Sequence, residues 1–274
     1  MDEALPLYAE PEVQLLARVL EKIALPAGEQ FIHRICKVLP DHAGELPYVL
    51  GDFQLGRYSA DLFERHGLDF PLHIRNSVLK RQAEFAAGRL CAQSALALQG
   101  ITGQRVAIGT QREPLWPPGF IGSITHNALY AAAIACPGTR FLGIGIDLET
   151  IVEADARQAI VELVLTPAEL QILVDDVGGL DFNCLLTLVF SAKESFFKAA
   201  FGQVQTFFGF EALALERIDT ARRILHFRST QTLSDRLPKG LAHQAYFELI
   251  GARSLFTVVV IGHRPGAPPA PGSG

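Results

Sequence analysis

The sequence predicts an α+β fold in two halves, and three observations carry that prediction. A helical pattern over residues 76–99 is followed by a series of short apolar runs. Helical patterns return over residues 166–201 and lead into a second series of such runs. Pro137-Gly138 interrupts the first series before its last run, and the boundary between the halves is placed near there. No internal sequence repeat accompanies this duplication of pattern.

The elements follow in order. Leu16, Val19, Leu20 and Ile23 have helical spacing and predict a short amphipathic helix over residues 12–24. FIHRICKV (31–38) reads as a strand, and the Pro- and Gly-bearing DHAGELPYVLGD after it reads as a loop. The long helix starts at Asn76 or Ser77, either a suitable N-cap, and runs to about Gln99, with Gly100 where a C′ residue belongs. RVAIGT (105–110), GFIGSITH (119–126), YAAAIAC (130–136) and FLGIGIDLE (141–149) are apolar runs punctuated by Gly, Pro and Asn, hence strands. Thr166-Pro167-Ala168-Glu169 has the spacing of a capping box with proline at N1, and another helix covers about 182–201. FEALALERI (210–218), RILHFRS (223–229), AYFELIGAR (245–253) and LFTVVVIGH (255–263) return to strands. The halves are expected at 1–140 and 141–264, with 265–274 (from PGAPPAPGSG) a disordered tail.

Composition bounds the function. The 274 residues are 49% hydrophobic and 19% charged, enough for one large or two modest domains with a packed core. A net charge of −5 argues against bulk electrostatic binding of nucleic acid. Mean hydropathy is high at +0.23, yet no apolar run of about 18 residues escapes a charge or turn residue, so no membrane span is expected. The acidic, proline-broken MDEALPLYAEPEVQ is wrong for a signal peptide. Cys36, Cys91, Cys136 and Cys184 include no C-x-x-C pair and read as reduced thiols of a cytoplasmic protein.

Four stretches carry possible chemistry. In FSAKESFFKAAF (190–201), Phe190, Glu194 and Lys198 form one helical stripe amid Phe residues. An exposed Glu–Lys pair is the plainer reading of that stripe. GIGIDLET (143–150) lacks the third glycine of a dinucleotide fingerprint, because position 148 is Leu. Asp147 and Glu149 share one face of a strand end, where like charges repel unless a cation lies between them. Two carboxylates plus water and phosphate oxygens are a usual Mg²⁺ environment, although two surface acids are the commoner meaning of D-x-E. REPLWPPGFIGSITHN (112–127) holds Arg112, a phosphate-seeking side chain, and His126, which alone reads as a rim residue. LKRQAEFAAGRL (79–90) presents Lys80, Arg81 and Arg89, with Arg89 able to pair with Glu84 or Glu113.

Taken in order, R-E-P-L-W-P-x-G-x-x-G-S-I-T-H, G-I-G-I-D-L-E and F-S-A-K-E-S-x-x-K-A resemble the 4′-phosphopantetheinyl transferases of the surfactin-synthetase type, nearest the enterobactin-synthase component D branch. That branch also carries K-R-x-x-E-x-x-A-G-R, matched from Lys80 to Arg89. Phe190 stands where many members have Trp, and Thr125 where Ser is usual before the His.

The resemblance implies a pseudo-dimer of two similar α+β subdomains with coenzyme A in the cleft between them. It implies transfer of the phosphopantetheine arm to a serine of an apo acyl, aryl or peptidyl carrier protein, releasing adenosine 3′,5′-bisphosphate. Asp147, Glu149 and Glu194 would hold Mg²⁺, and Lys198 would neutralise phosphate charge. Arg112, Thr125 and His126, with Lys80 or Arg81, would contact the nucleotide. Glu194 is the general base this implies, with Glu149 or a metal-bound water as alternatives. The enzyme is expected to be a cytoplasmic monomer with no nucleic-acid or membrane partner. Rival readings are another Mg²⁺-dependent nucleotide or pyrophosphate enzyme and a non-catalytic coenzyme A or carrier-binding module.

Overall fold

The computed structural model describes residues 18–23, 25, 29–41, 44–175 and 179–263. The expected disordered tail lies outside them. Strands β1 (Arg18–Lys22), β2 (Ile32–Asp41) and β3 (Gly44–Phe53) lead into the short helices α1 (Leu62–Arg65) and α2 (Leu72–Arg75). The long helix α3 (Leu79–Ala97) follows, then a small hairpin of β4 (Ala107–Ile108) and β5 (Pro114–Leu115). Strands β6 (Phe120–His126), β7 (Tyr130–Pro137) and β8 (Gly143–Thr150) precede helices α4 (Arg157–Val164), α5 (Pro167–Val174) and α6 (Phe182–Val204). Strands β9 (Leu213–Asp219), β10 (Ile224–Ser229), β11 (Ala242–Ile250) and β12 (Ser254–Ile261) complete the order.

The fold is α+β, and two five-stranded sheets organise it. One has the order β1-β2-β3-β7-β6, the other β8-β12-β11-β10-β9, all through antiparallel pairs. Helix α3 packs on β7, β3 and β6, and α6 packs on β8, β12 and β11. Strand alternation gives each sheet two apolar faces. On the first sheet Val49, Ala131 and Ala133 face the α3 core, while Tyr48, Leu50, Ala132 and Ile134 face the other way. That second face meets Ile144, Ile146, Leu148, Phe256 and Val258 of the other sheet. The layers therefore run helix, sheet, sheet, helix. Tyr48 and Phe256 stack across the middle at 4.7 Å.

Helix ends follow side-chain chemistry. Thr166 accepts the Glu169 amide while Glu169 reaches back to the Thr166 amide, closing the expected capping box. Asp181 caps α6 by accepting the Cys184 amide at 3.1 Å. At the end of α3, Gly100 has φ +78° and donates to Ala97 O, while Ile101 donates to Leu96 O. This paired closure is why glycine stands there.

The structure corrects four local expectations. Arg18–Lys22 is strand, not helix, and residues 12–17 and 24 lie outside the described residues. A bulge between Val19 and Glu21 breaks strict alternation, which makes the apolar spacing resemble a helical one. The segment read as a loop contains β3, ten residues paired to β2 and β7, because Leu46, Tyr48 and Leu50 alternate into the central core despite Pro47 and Gly51. Helix α3 starts at Leu79 with Val78 as its cap; Asn76 closes α2, and Ser77 Oγ donates to Ile74 O rather than capping α3. Of RVAIGT only Ala107 and Ile108 pair as strand.

Candidate active site

Packing of α6 on β8 builds the site. Alternate residues of β8 point to opposite layers: Ile144, Ile146 and Leu148 enter the inter-sheet core, and Gly143, Gly145, Asp147 and Glu149 face α6. A Cβ on Gly143 would lie 2.0 Å from Ala199 O, and one on Gly145 would lie 1.9 Å from Ser195 O. These glycines let the helix backbone touch the strand, which is the role of G-I-G here. The next residue on that face, Asp147, is consequently pressed against the helix and is only 4% exposed.

Every oxygen of Asp147 is engaged. Oδ1 accepts from Lys198 Nζ at 2.6 Å and from Thr125 Oγ1 at 3.2 Å; Oδ2 accepts from Ser191 Oγ at 2.9 Å. Lys198 also donates to Ile146 O at 3.1 Å. Ser191 and Ser195 both meet Thr257 Oγ1 at 2.8 Å, and Thr257 pairs with Asp147 across β12 and β8. Thr125 accepts the Leu148 amide and Ser123 the Ile146 amide, each at 3.1 Å, so β6 satisfies the outer edge of β8. Side chains of both halves thus fix one carboxylate.

Glu149 and Glu194 complete an acidic group around Lys198. Burial first, then the Asp147 charge, raises the Glu149 carboxyl to about 7, with Glu194 adding to the rise. Burial raises Glu194 too; Lys198 opposes this and Asp147 adds to it. Lys198 therefore pairs with Asp147, and the exposed Glu194–Lys198 pair of the plainer reading is replaced by a half-buried cluster of three acids on one lysine. Lys193 serves a different end: it is buried, bonds Glu169 Oε1 at 2.7 Å and donates to Val164 O at 2.9 Å, tying α5 to α6.

Among the described residues, no three acidic, histidine or cysteine side chains are gathered tightly enough to enclose a metal ion by themselves. The donor chemistry nonetheless suits a hard divalent cation. Three carboxylates face a single ammonium, and two of them are pushed towards the protonated form, chiefly by burial and then by neighbouring negative charge. Mg²⁺ takes one or two carboxylates and completes its shell with water and phosphate oxygens, so such a partial set fits it.

The cationic residues lie across the cleft. Arg112 has φ +69° in the turn joining β4 to β5, where its amide donates to Gly109 O at 3.1 Å. This turn holds it at the rim of two cavities. One, of about 740 Å³, runs between the halves past Arg112, Trp116, Ser123, Gly143, Lys198 and Phe201. The other, of about 350 Å³, is lined by His73, Arg81, Glu84, Arg89, Arg112 and His126. A smaller one of about 140 Å³ sets Glu194 among Phe197, Phe207 and Phe210.

Arg81 meets His126 Nε2 at 2.8 Å, and His126 Nδ1 is 3.8 Å from Glu84. Burial, followed by the charges of Arg81 and Lys198, lowers His126 to about 4, so it is a neutral imidazole at pH 7 that accepts from Arg81. Lys80 is exposed and pairs with Glu84 at 3.8 Å. Thr125 is buried and spends its hydroxyl on Asp147 and Leu148.

The structure thus brings Asp147, Glu149, Glu194 and Lys198 together, with Arg81, Arg112 and His126 on the facing half. Sequence reading passed over Ser191, which bonds Asp147, and Thr257 and Ser195, which continue that chain of hydroxyl contacts. The two serines had a signal, their i, i+4 spacing on α6; Thr257 had none before its pairing was known. Arg89 forms neither of the ion pairs suggested for it.

Two family models match the chain. The 4′-phosphopantetheinyl transferase N-terminal domain matches residues 71–136, and the 4′-phosphopantetheinyl transferase superfamily matches residues 143–243. The enterobactin synthase component D of Salmonella typhi is 33% identical over 184 residues, covering 66% of this chain and 75% of that protein. The 4′-phosphopantetheinyl transferase Npt of Nocardia iowensis is 34% identical over 166 residues, 61% of this chain and 72% of that protein. The 4′-phosphopantetheinyl transferase PptT of Mycobacterium tuberculosis is 32% identical over 139 residues, 50% and 59% respectively.

Proposed function

The chain belongs to the 4′-phosphopantetheinyl transferase superfamily, and from that premise we propose how its residues perform the transfer. The enzyme moves the phosphopantetheine arm of coenzyme A onto a serine of a carrier protein. The single observation that supports our assignment of the site is the convergence of Asp147, Glu149, Glu194 and Lys198 beside a cleft shared by both halves.

The reaction exchanges one phosphorus–oxygen bond for another. The carrier serine Oγ attacks the phosphorus attached to pantetheine, the phosphoanhydride bond breaks, and adenosine 3′,5′-bisphosphate departs. Alignment and charge neutralisation supply most of the catalysis in such a step. Lys198, held by Asp147 and Ile146 O, presents its ammonium to the phosphates. Glu194 accepts the serine proton, and its burial among Phe side chains raises its appetite for one. Arg81, Arg112 and neutral His126 bind the nucleotide phosphates from the first half, with Lys80 adding its charge at the rim. Thr125 acts through Asp147, orienting it from across the boundary.

Asp147, Glu149 and Glu194 would hold Mg²⁺ with oxygens of the coenzyme A pyrophosphate. When bound, the ion polarises the phosphorus centre and stabilises the departing oxygen. Because one chain supplies groups from both halves, residues 1–140 and 141–264, we take the monomer as the working unit. Four buried cysteines suit a reducing compartment such as the cytoplasm. No helix among the described residues is long and apolar enough to cross a membrane.

Intact-mass spectrometry of apo acyl, aryl and peptidyl carriers incubated with coenzyme A and Mg²⁺ tests this reading. One carrier should gain the phosphopantetheine mass on its serine. Coenzyme A cleaved in solution, with every carrier unchanged, would refute it.

A further inference from the structure

Glu113 stands between Arg112 and Pro114, and the transfer steps above give it no task. Its carboxylate turns back on its own hairpin. Oε2 accepts the Gln111 amide at 2.9 Å, and the Gly109 amide donates to Glu113 O at 2.8 Å. The carboxylate also lies against Gly109, where an added Cβ would sit 1.9 Å from Oε1 and 2.5 Å from Oε2. Gly109 is not among the glycines with a left-handed backbone. The Glu113 side chain is therefore what excludes a methyl there.

Only Ala107 with Leu115 and Ile108 with Pro114 pair in this hairpin, a ladder too short to fix the turn it carries. Two residues of the turn are nevertheless held in set places. Arg112 keeps φ +69°, a conformation costly to a residue with a side chain unless its neighbours enforce it. Gln111 donates from Nε2 to Gln205 O at 3.3 Å, reaching across to the left-handed cap of α6. Lys198 lies about two turns before that cap. The turn thus forms one wall of the 740 Å³ cleft and the end of α6 forms the other. Glu113 ties the first wall together from within.

We infer that Glu113 is a positioning residue: by folding the β4–β5 turn it holds Arg112 and Gln111 in place at the cleft before coenzyme A arrives. The inference rests on the transferase reading above and adds to it a residue that touches no substrate. Its effect falls on binding rather than on chemistry. Without the carboxylate the turn adopts other conformations, and apparent affinity drops by the fraction of time it is in place. The bound complex that reacts is the same.

Titration of the full chain with coenzyme A, and transfer to an apo carrier at saturating coenzyme A, test this in four variants beside wild type. They are Glu113→Ala, Glu113→Gln, Gly109→Ala and the double variant Gly109→Ala/Glu113→Ala, each with a melting curve. Glu113→Ala should bind coenzyme A about tenfold more weakly, as for a turn in place about a tenth of the time, with the saturated rate and melting temperature kept. Glu113→Gln should bind as wild type does, because its amide oxygen still accepts from the Gln111 amide. Gly109→Ala should reproduce the Glu113→Ala loss, since its methyl displaces the carboxylate, and should add nothing in the double variant. Wild-type affinity in Glu113→Ala, a loss of saturated rate instead, or a Glu113→Gln as weak as Glu113→Ala overturns the inference and leaves the transferase reading standing. Wild-type affinity in Gly109→Ala, or a fully additive double variant, does the same. If Glu113→Ala does not fold, Gly109→Ala decides alone. Wild type that loads no carrier overturns the transferase reading and, with it, the inference.

Discussion

Lys193 and Lys198 lie on the same helix, yet their surroundings give them separate work. Lys193 is sealed against Glu169 and Val164 O, whereas Lys198 is partly open to the cleft and faces Asp147. Removing one member of a buried ion pair strands the other, so Lys193→Ala should cost about 3–5 kcal/mol in urea unfolding. Lys198→Ala should cost less stability, because Thr125 and Ser191 still bond the buried Asp147, and should remove transfer. Matching stability losses would contradict the division. At Glu149 the prediction concerns pH. Its carboxyl, raised from 4.5 to about 7 chiefly by burial, keeps a proton in the folded state that the unfolded chain gives up. Its stabilising contribution is complete below about pH 4.5 and declines as pH rises through 7. With chelator present, Glu149→Gln should therefore be neutral near pH 4.5 and stabilising by about 1–3 kcal/mol at pH 8. An effect of equal size at both values would show that the carboxyl is not buried as described.

Among elements, the contact of β8 with α6 decides the geometry, and Gly145 is where it is tightest. Gly145→Ala would drive a methyl into Ser195 O, forcing strand and helix apart. We expect a loss of about 1–3 kcal/mol together with a severe loss of transfer, read from melting curves and initial rates. Normal rates in the variant would show that close approach is not needed. This contact also shows what the sequence could reveal. The Asp147, Glu149, Glu194 and Lys198 set was legible because motif order and charge survive translation into any fold. The helix stripe and the capping box were legible because they are local. Strand β3 was not, since its Pro and Gly signalled a loop, and only pairing on both sides with core burial overrode them. Nor was the Asp147–Thr257 partnership, which depends on a strand register more than a hundred residues away.

At the scale of the molecule, the two sheets share a core and buried polar contacts, one set from β6 to β8 and another between β3 and β11. Tyr48 of β3 donates to Glu248 of β11 at 2.5 Å, with Lys37 3.7 Å from the same oxygen and all three residues buried. Tyr48→Phe would leave Glu248 with less compensation and should cost about 1–3 kcal/mol. Because Ile144, Ile146, Leu148, Phe256 and Val258 pack against the first sheet, the halves should unfold as one unit. Coincident far-ultraviolet and fluorescence transitions would support this; two separated transitions would contradict it. In the proposed mechanism, a shared core would also hold side chains from both sheets steady around a single reacting phosphate.

The most direct test compares wild type, Glu194→Gln and Lys198→Ala in single-turnover transfer from coenzyme A to an apo carrier, followed by intact mass, with melting temperatures recorded in parallel. The account predicts that wild type loads its carrier within the assay and that both variants, still folded, lose at least about a hundredfold in rate. A folded Glu194→Gln or Lys198→Ala that loads the carrier at the wild-type rate would contradict it.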